Sequence, residues 1–152
     1  QTVVLAFPPA DRHRGRTLRF AVAAGLVLGV LPLAFTLPGL AEIYYVNLQN
    51  LDPADLGLVR WTAATLVFFP LATALRGQSE GLSAWLKRPS AVLFGHSMFL
   101  VAILLVGLAT LALGAPGCFI GALSLPVGSL VSSATMRLAL HGKAASAAGA
   151  IV

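Results

Sequence analysis

Long apolar runs alternate with short polar segments along this chain. The runs cover residues 20–40, 56–75, 91–113 and 118–140. Each has roughly the 20 residues that an α-helix needs to cross the hydrocarbon core of a bilayer. The pattern therefore predicts an all-α fold, a polytopic transmembrane helical bundle of about four spans.

The polar segments set the predicted organisation of the chain. A basic N-terminal lead (1–19) precedes a four-span transmembrane domain (20–140), and a short C-terminal tail (141–152) follows. The small, apolar end of this tail, residues 144–152, is compatible with the start of a fifth helix.

The connections between the spans carry recognisable signals. Asp52-Pro53 predicts the start of the second helix, because an acidic N-cap followed by proline is a common helix opening. Residues 77–90 are predicted to form a polar connection between the second and third spans. Gly114–Gly117 predicts a tight turn before the fourth span.

Composition supports lipid as the main solvent of the chain. Hydrophobic residues make up 58% of the sequence and charged residues only 10%, against about 25% charged residues in a typical soluble domain. The net charge of +5 does not indicate nucleic-acid binding, because the basic residues lie at the ends of apolar runs. The expected partners are the lipid bilayer and other transmembrane helices.

The basic residues also predict an orientation, because Lys and Arg collect in loops on the cytoplasmic or matrix side. A four-span arrangement places all ten basic residues except Arg60 on one side. These are Arg12, Arg14, Arg16, Arg19, Arg76, Lys87, Arg88, Arg137 and Lys143. Both termini are therefore expected on this positive side, in a bacterial inner membrane or the inner membrane of an organelle.

Arg60 lies about one turn into the second span, where a charge is costly. It either marks a functional site or extends to the nearby headgroups beside Trp61. If Arg60 is functional, Glu42 is its expected partner, because both should lie at a similar depth. The pair could then contact an anionic substrate.

The fourth span is rich in small residues. Gly121 and Gly128 are seven residues apart and share one helix face, and Ser132 adds another small side chain. Small residues let a neighbouring backbone approach closely. We expect this face to contact protein, either in an oligomer or in a larger membrane complex.

The sequence shows little catalytic chemistry. His96 and His141 could ligate a haem iron or serve a quinone site if they faced each other, but His141 is expected beyond the hydrocarbon. The sequence shows no metal-ligand cluster, paired carboxylates or phosphate-binding loop. The chain is therefore predicted to have no catalytic residues, metal or cofactor, and not to be an enzyme.

The stretch Asp52–Gly77 resembles the second helix of EamA-type repeats in the drug/metabolite transporter superfamily, with Arg60-Trp61 early in the helix and Arg76-Gly77 after it. Lys87-Arg88-Pro89 and Gly142-Lys143 are similar to other parts of that repeat. The resemblance implies that Arg60 and Trp61 lie near a substrate cavity. Because the family has ten helices in two repeats, it also implies that this chain is a half-unit that pairs, or a fragment.

Two functions follow from these observations. One is a transporter-like module for a small metabolite, indicated by Arg60, by the resemblance and by prolines expected to interrupt the spans. These prolines are Pro32, Pro38, Pro70 and Pro126. The other is a structural accessory subunit of a respiratory or photosynthetic membrane complex, indicated by small size and the small-residue face.

Overall fold

A computed structural model describes the backbone of residues 14–149 and the side chains of residues 15–140. The α-helices are α1 (Arg14–Ala34), α2 (Pro38–Ala41), α3 (Leu56–Leu66), α4 (Phe69–Trp85), α5 (Pro89–Ala112) and α6 (Gly117–Gly149). A π-helical segment, Glu42–Leu48, follows α2, and a 3-10 turn, Pro53–Asp55, leads into α3. No strand occurs in the described part of the chain.

Four helical stretches are long and apolar enough to cross a membrane. They are Gly15–Ala34, Pro53–Trp85, Pro89–Ala112 and Gly117–Leu140. The second of these contains α3 and α4. The predicted all-α bundle of four spans is therefore confirmed.

The interior of the bundle consists mainly of small and polar side chains, whereas large apolar side chains cover its surface. Most buried apolar residues are alanines, and buried serines are nearly as numerous. Side chains such as Leu28, Val101 and Leu104 are about half exposed or more. A protein surrounded by water would bury these large side chains. The reversed distribution is that of a helical bundle whose outer surface faces lipid.

The first span runs antiparallel to the second, and the two approach closely at two glycines of α1. A Cβ atom on Gly25 would lie 2.6 Å from the Cα of Leu71, and one on Gly29 would lie 2.8 Å from the carbonyl oxygen of Val67. The two glycines are one helical turn apart, the small-xxx-small spacing that brings membrane helices together. This contact holds the first span against the second.

Substituting Gly25 with alanine should lower the free energy of unfolding by about 2 kcal/mol, because the new methyl group would displace the backbone of α4. Thermal unfolding of the purified protein in detergent measures the change. Gly15→Ala is the control, since a Cβ atom there meets nothing within 4 Å. Equal effects of the two substitutions would argue against the close contact.

The remaining spans pack around α6. Its partner α5 runs antiparallel to it, with Gly95 against Met136 and Gly128 against Phe99 and Ile103. On its other side α6 lies parallel to α4. The Ser133 hydroxyl donates to the carbonyl oxygen of Leu75, and four residues further along both helices Arg137 donates to Ser79. The four spans therefore form a row in the order α1, α4, α6, α5.

Two predicted boundaries were wrong. The first helix begins at Arg14 and not at residue 20, so the last part of the basic lead is helical. Helix α4 continues to Trp85 through most of the predicted connection at 77–90. Ser79 and Ser83 satisfy their hydroxyls on carbonyls one turn earlier, at 2.9 and 2.8 Å, and so need no water.

The possible start of a fifth helix lies at the other end of the domain. Helix α6 continues without a break from the fourth span to Gly149. The residues expected to open a fifth helix therefore extend the same helix, as far as the structure describes them.

Two of the four prolines coincide with helix breaks. Pro38 and Pro70 lie at the start of α2 and α4, where the missing N–H group costs least. Pro32 and Pro126 lie inside α1 and α6 without ending them. The expectation that all four interrupt the spans was wrong.

The predicted helix start at Asp52-Pro53 is confirmed. The Asp52 carboxylate accepts a hydrogen bond from the backbone N–H of Ala54 at 2.9 Å, and Pro53 occupies the first position of the 3-10 turn. The tight turn before the fourth span is also confirmed, because Gly114 adopts a left-handed backbone with φ 67°.

Candidate functional site

A charged group of side chains joins α4 to α5, and we call it the Arg76 cluster: Arg76, Glu80, His96 and Phe99. The Arg76 Nε donates to Glu80 Oε1 at 2.9 Å. A second guanidinium nitrogen lies 2.8 Å from His96 Nδ1. The guanidinium carbon lies 3.9 Å from the centre of the Phe99 ring. The cation is thus held by a carboxylate, an imidazole and an aromatic face.

The contact with Arg76 indicates the tautomer of a neutral His96 ring. Arginine can only donate, so the Nδ1 atom facing it must accept, which places the proton of a neutral ring on Nε2. Nε2 lies 3.8 Å from Glu80 Oε1.

A second polar group links α4 to α6, and we call it the Arg137 cluster: Arg137, Gln78, Ser79 and Ser133. Arg137 donates from Nε to Ser79 Oγ at 3.1 Å and from Nη2 to Gln78 Oε1 at 2.9 Å. The two serine hydroxyls lie 2.8 Å apart. Gln78, Ser79 and Ser133 are buried, so this cluster fixes the α4–α6 contact by polar bonds.

Both clusters lie near the basic end of the bundle, which is the end that carries Arg19, Lys87 and Arg88. His96 precedes the end of α5 at Ala112 by 16 residues, a distance of about 24 Å at 1.5 Å per residue. The hydrocarbon core is about 30 Å thick. If α5 ends at the opposite boundary, the Arg76 cluster lies just inside the hydrocarbon on the basic side.

A cavity of about 270 Å³ opens beside the Arg76 cluster, between α4, α5 and α6. Its polar lining comes from Thr73, Arg76, Glu80 and Ser129, and the rest from Phe69, Gly77, Phe99 and Leu125. An apolar groove of about 690 Å³ lies on the other side of α4, against α1, and shares Phe69, Thr73 and Gly77 with the cavity. A single ridge of α4 therefore separates the two spaces.

Arg60 lies at the opposite end of the bundle from these clusters. Its Nε donates to the carbonyl oxygen of Thr36 at 2.8 Å. Thr36 follows the end of α1, where a carbonyl has no helical donor. The ion pairs in the described part of the chain do not join Arg60 to Glu42. Glu42 instead begins the π-helical segment.

A cavity of about 420 Å³ lies beside Arg60 and is also lined by Thr36, Gly57, Trp61 and Ala64. Trp61 is 70% exposed, so its ring points away from the helix contacts. The structure therefore brings Arg60 and Trp61 to one cavity but does not bring Glu42 into contact with Arg60.

Aromatic residues gather close to this end of the bundle. Phe35 and Tyr44 have ring centres 4.7 Å apart, and those of Tyr44 and Tyr45 are 5.0 Å apart. Burial and then the neighbouring Tyr44 raise the pKa of Tyr45. Its hydroxyl thus stays protonated at neutral pH and can donate, as suits an aromatic residue at a membrane interface.

The small residues predicted to form one packing face have different surroundings. Gly128 is buried, and a Cβ atom there would lie 3.0 Å from Phe99 Cδ2 and from Ile103 Cγ1. Ser132 is fully buried, and its hydroxyl has no hydrogen-bond partner among the described residues. Gly121 is exposed and a Cβ atom there would meet nothing within 4 Å. The internal contact therefore includes Gly128 and Ser132 but not Gly121.

Of the two candidate histidines, the structure describes the side chain of His96 only. His96 belongs to the Arg76 cluster, where its Nδ1 is engaged by Arg76. His141 lies in α6, and its side chain falls outside the described residues. Among the described residues, no group of three or more His, Cys, Asp or Glu side chains could hold a metal ion. The absence of a haem or other cofactor stays a prediction.

Sequence reasoning did not find the Arg76 cluster. Arg76 and Glu80 were assigned to the end of a span and to a polar loop. Their spacing of four residues is the spacing of facing side chains on a helix, as is that of Ser79 and Ser83. This repeated spacing was the available signal that the helix continues.

An all-α bundle with four spanning helices, a small and polar interior and an apolar surface is a multi-pass helical membrane protein. Comparison with protein-family models, with curated proteins and with solved structures finds no match for this chain. Its resemblance to EamA-type repeats accordingly stays a hypothesis based on the residues quoted above.

Proposed function

We propose that this chain is a transporter-like module for a small polar metabolite, acting as a half-unit or an oligomer. The observation that carries the proposal is the cavity beside the Arg76 cluster. Ionisable side chains inside a membrane bundle are costly, and they commonly mark the path of a substrate or ion. Here a cation, an anion and two hydroxyl side chains line one space between three spans.

The broken second span supports the same proposal. Transporters often bind substrate where a spanning helix is interrupted, because backbone groups become available there. The break between α3 and α4 lies at Val67 and Phe68, and Thr73 of the cavity follows Phe68 by five residues. The resemblance to EamA-type repeats adds Arg60 and Trp61 as residues near a substrate path.

The orientation and the membrane belong to this proposal. The clustering of Lys and Arg at one end supports an orientation with both termini on the cytoplasmic or matrix side. The membrane is then a bacterial inner membrane or the inner membrane of an organelle.

Transport by purified protein in proteoliposomes tests the proposal. We expect uptake of at least one metabolite from a panel of amino acids, organic acids, sugars and amines, above that of protein-free vesicles. Glu80→Gln, which removes the charge at nearly constant shape, should abolish this uptake. Leu104→Ala, on the exposed surface of α5, should retain it. Absence of uptake across the panel would count against a transporter.

A structural accessory subunit is the second candidate, and one observation favours it. The guanidinium groups of Arg76 and Arg137 are already engaged by side chains of this chain. A network of this kind can brace helices without binding a substrate. Extraction in mild detergent and native electrophoresis discriminates the two functions. Migration with a large assembly favours the subunit, and a small homo-oligomer favours the transporter.

A further inference from the structure

The turn between α4 and α5 has an unusual backbone at a charged residue. Lys87 has φ 53°, a left-handed conformation that glycine or asparagine adopts more easily. Its N–H donates to Ala84 and that of Arg88 donates to Ser83, which closes the end of α4. Pro89 then begins α5. The tight turn presents two cationic side chains at the basic end of the bundle.

A groove of about 430 Å³ lies beside this turn. Lys87, Arg88 and His96 supply its polar lining, whereas Ala84, Pro89, Val92 and Leu93 supply its apolar lining. None of the described residues that line it is acidic. The groove therefore has a cationic end and an apolar wall that continues along α5.

The charges of this groove are not neutralised within the described chain. Lys87 is exposed and takes part in none of the ion pairs there. Arg88 donates only Nη1 to the carbonyl oxygen of Leu140 at 3.3 Å. This bond links the turn to α6, and the other N–H groups of the guanidinium remain available. The nearest carboxylate along α4, Glu80, is paired with Arg76.

We propose that this groove binds an anionic phospholipid, with its phosphate at Lys87 and Arg88 and an acyl chain along Val92 and Leu93. Basic pockets at the cytoplasmic or matrix end of membrane helices suit such headgroups. A free phosphate would use the two cations alone. A lipid would also cover the apolar wall, where Leu93 is 69% exposed. This proposal is independent of any transport function.

The binding site is placed to influence the Arg76 cluster. His96 lines the lipid groove and also accepts a hydrogen bond from Arg76. The lipid and the Arg76 cluster therefore share one side chain.

Native mass spectrometry of the full chain in detergent tests the proposal, with phosphatidylglycerol and phosphatidylcholine as probes. We expect the wild-type protein to retain phosphatidylglycerol in preference to phosphatidylcholine. The double variant Lys87→Gln/Arg88→Gln should bind phosphatidylglycerol at least about tenfold more weakly, because each basic residue near an anionic headgroup contributes substantially to binding. Binding of phosphatidylcholine should not change.

The matched control is Arg16→Gln/Arg19→Gln, which removes two exposed cations at the same end of the bundle but outside the groove. Equal loss of phosphatidylglycerol in both double variants would overturn the proposal, since surface charge alone would then explain binding. Full competition by millimolar inorganic phosphate would also overturn it, in favour of a free anion. Circular dichroism confirms that the variants are folded.

Discussion

Replacing Arg76 with leucine is expected to lower the free energy of unfolding by about 3 kcal/mol, because it leaves the Glu80 carboxylate without its cation in a largely dehydrated place. The side chains of Arg76 and Glu80 are only 19% and 16% exposed. The substitution also removes the partner of His96 and the contact with the Phe99 ring. Unfolding in detergent by heat or by increasing sodium dodecyl sulfate measures the loss.

The double variant Arg76→Leu/Glu80→Leu separates the pair from its surroundings. Replacing both partners removes the unpaired charge, so we expect it to be more stable than Arg76→Leu alone. Arg19→Leu is the control for loss of an exposed cation, with an expected change below about 0.5 kcal/mol. Additive losses in the double variant would show that the two side chains do not interact.

The number of spans could be predicted because the bilayer fixes the length of an apolar helix. The extent of the second span could not, because Gln78, Ser79 and Glu80 are typical of a loop by composition. Inside this bundle, however, Gln78 and Ser79 accept hydrogen bonds from Arg137. Glu80 is paired with Arg76. Whether a polar segment faces water or other helices depends on its neighbours, which the sequence of one helix does not give.

The candidate site shows the same limit. Depth in the membrane suggested Glu42 as the partner of Arg60, and depth can be estimated by counting residues. The direction in which a side chain points around the bundle cannot be estimated in this way, because a short helix, a π-helical segment and a 3-10 turn lie between α1 and α3. The end of α1 provides a closer acceptor, the carbonyl of Thr36. His96 was noticed as a possible ligand, but its contact with Arg76 depends on how α4 and α5 pack on α6.

Helix packing in α6 illustrates what periodicity alone can predict. A spacing of seven residues places Gly121 and Gly128 in nearly the same direction. It does not tell whether a neighbouring helix is close at both levels. Phe99 and Ile103 reach Gly128, whereas no side chain approaches Gly121.

Leucine at position 128 should therefore lower the free energy of unfolding by about 3 kcal/mol, whereas leucine at position 121 should change it by less than about 0.5 kcal/mol. The side chain of Gly128→Leu would extend into the Phe99 ring and Ile103 and force α5 away from α6. Gly121→Leu would extend into open space. Thermal unfolding in the same detergent compares the two directly. Equal losses would contradict the packing of α5 on α6 described above, and so would an unchanged stability of Gly128→Leu.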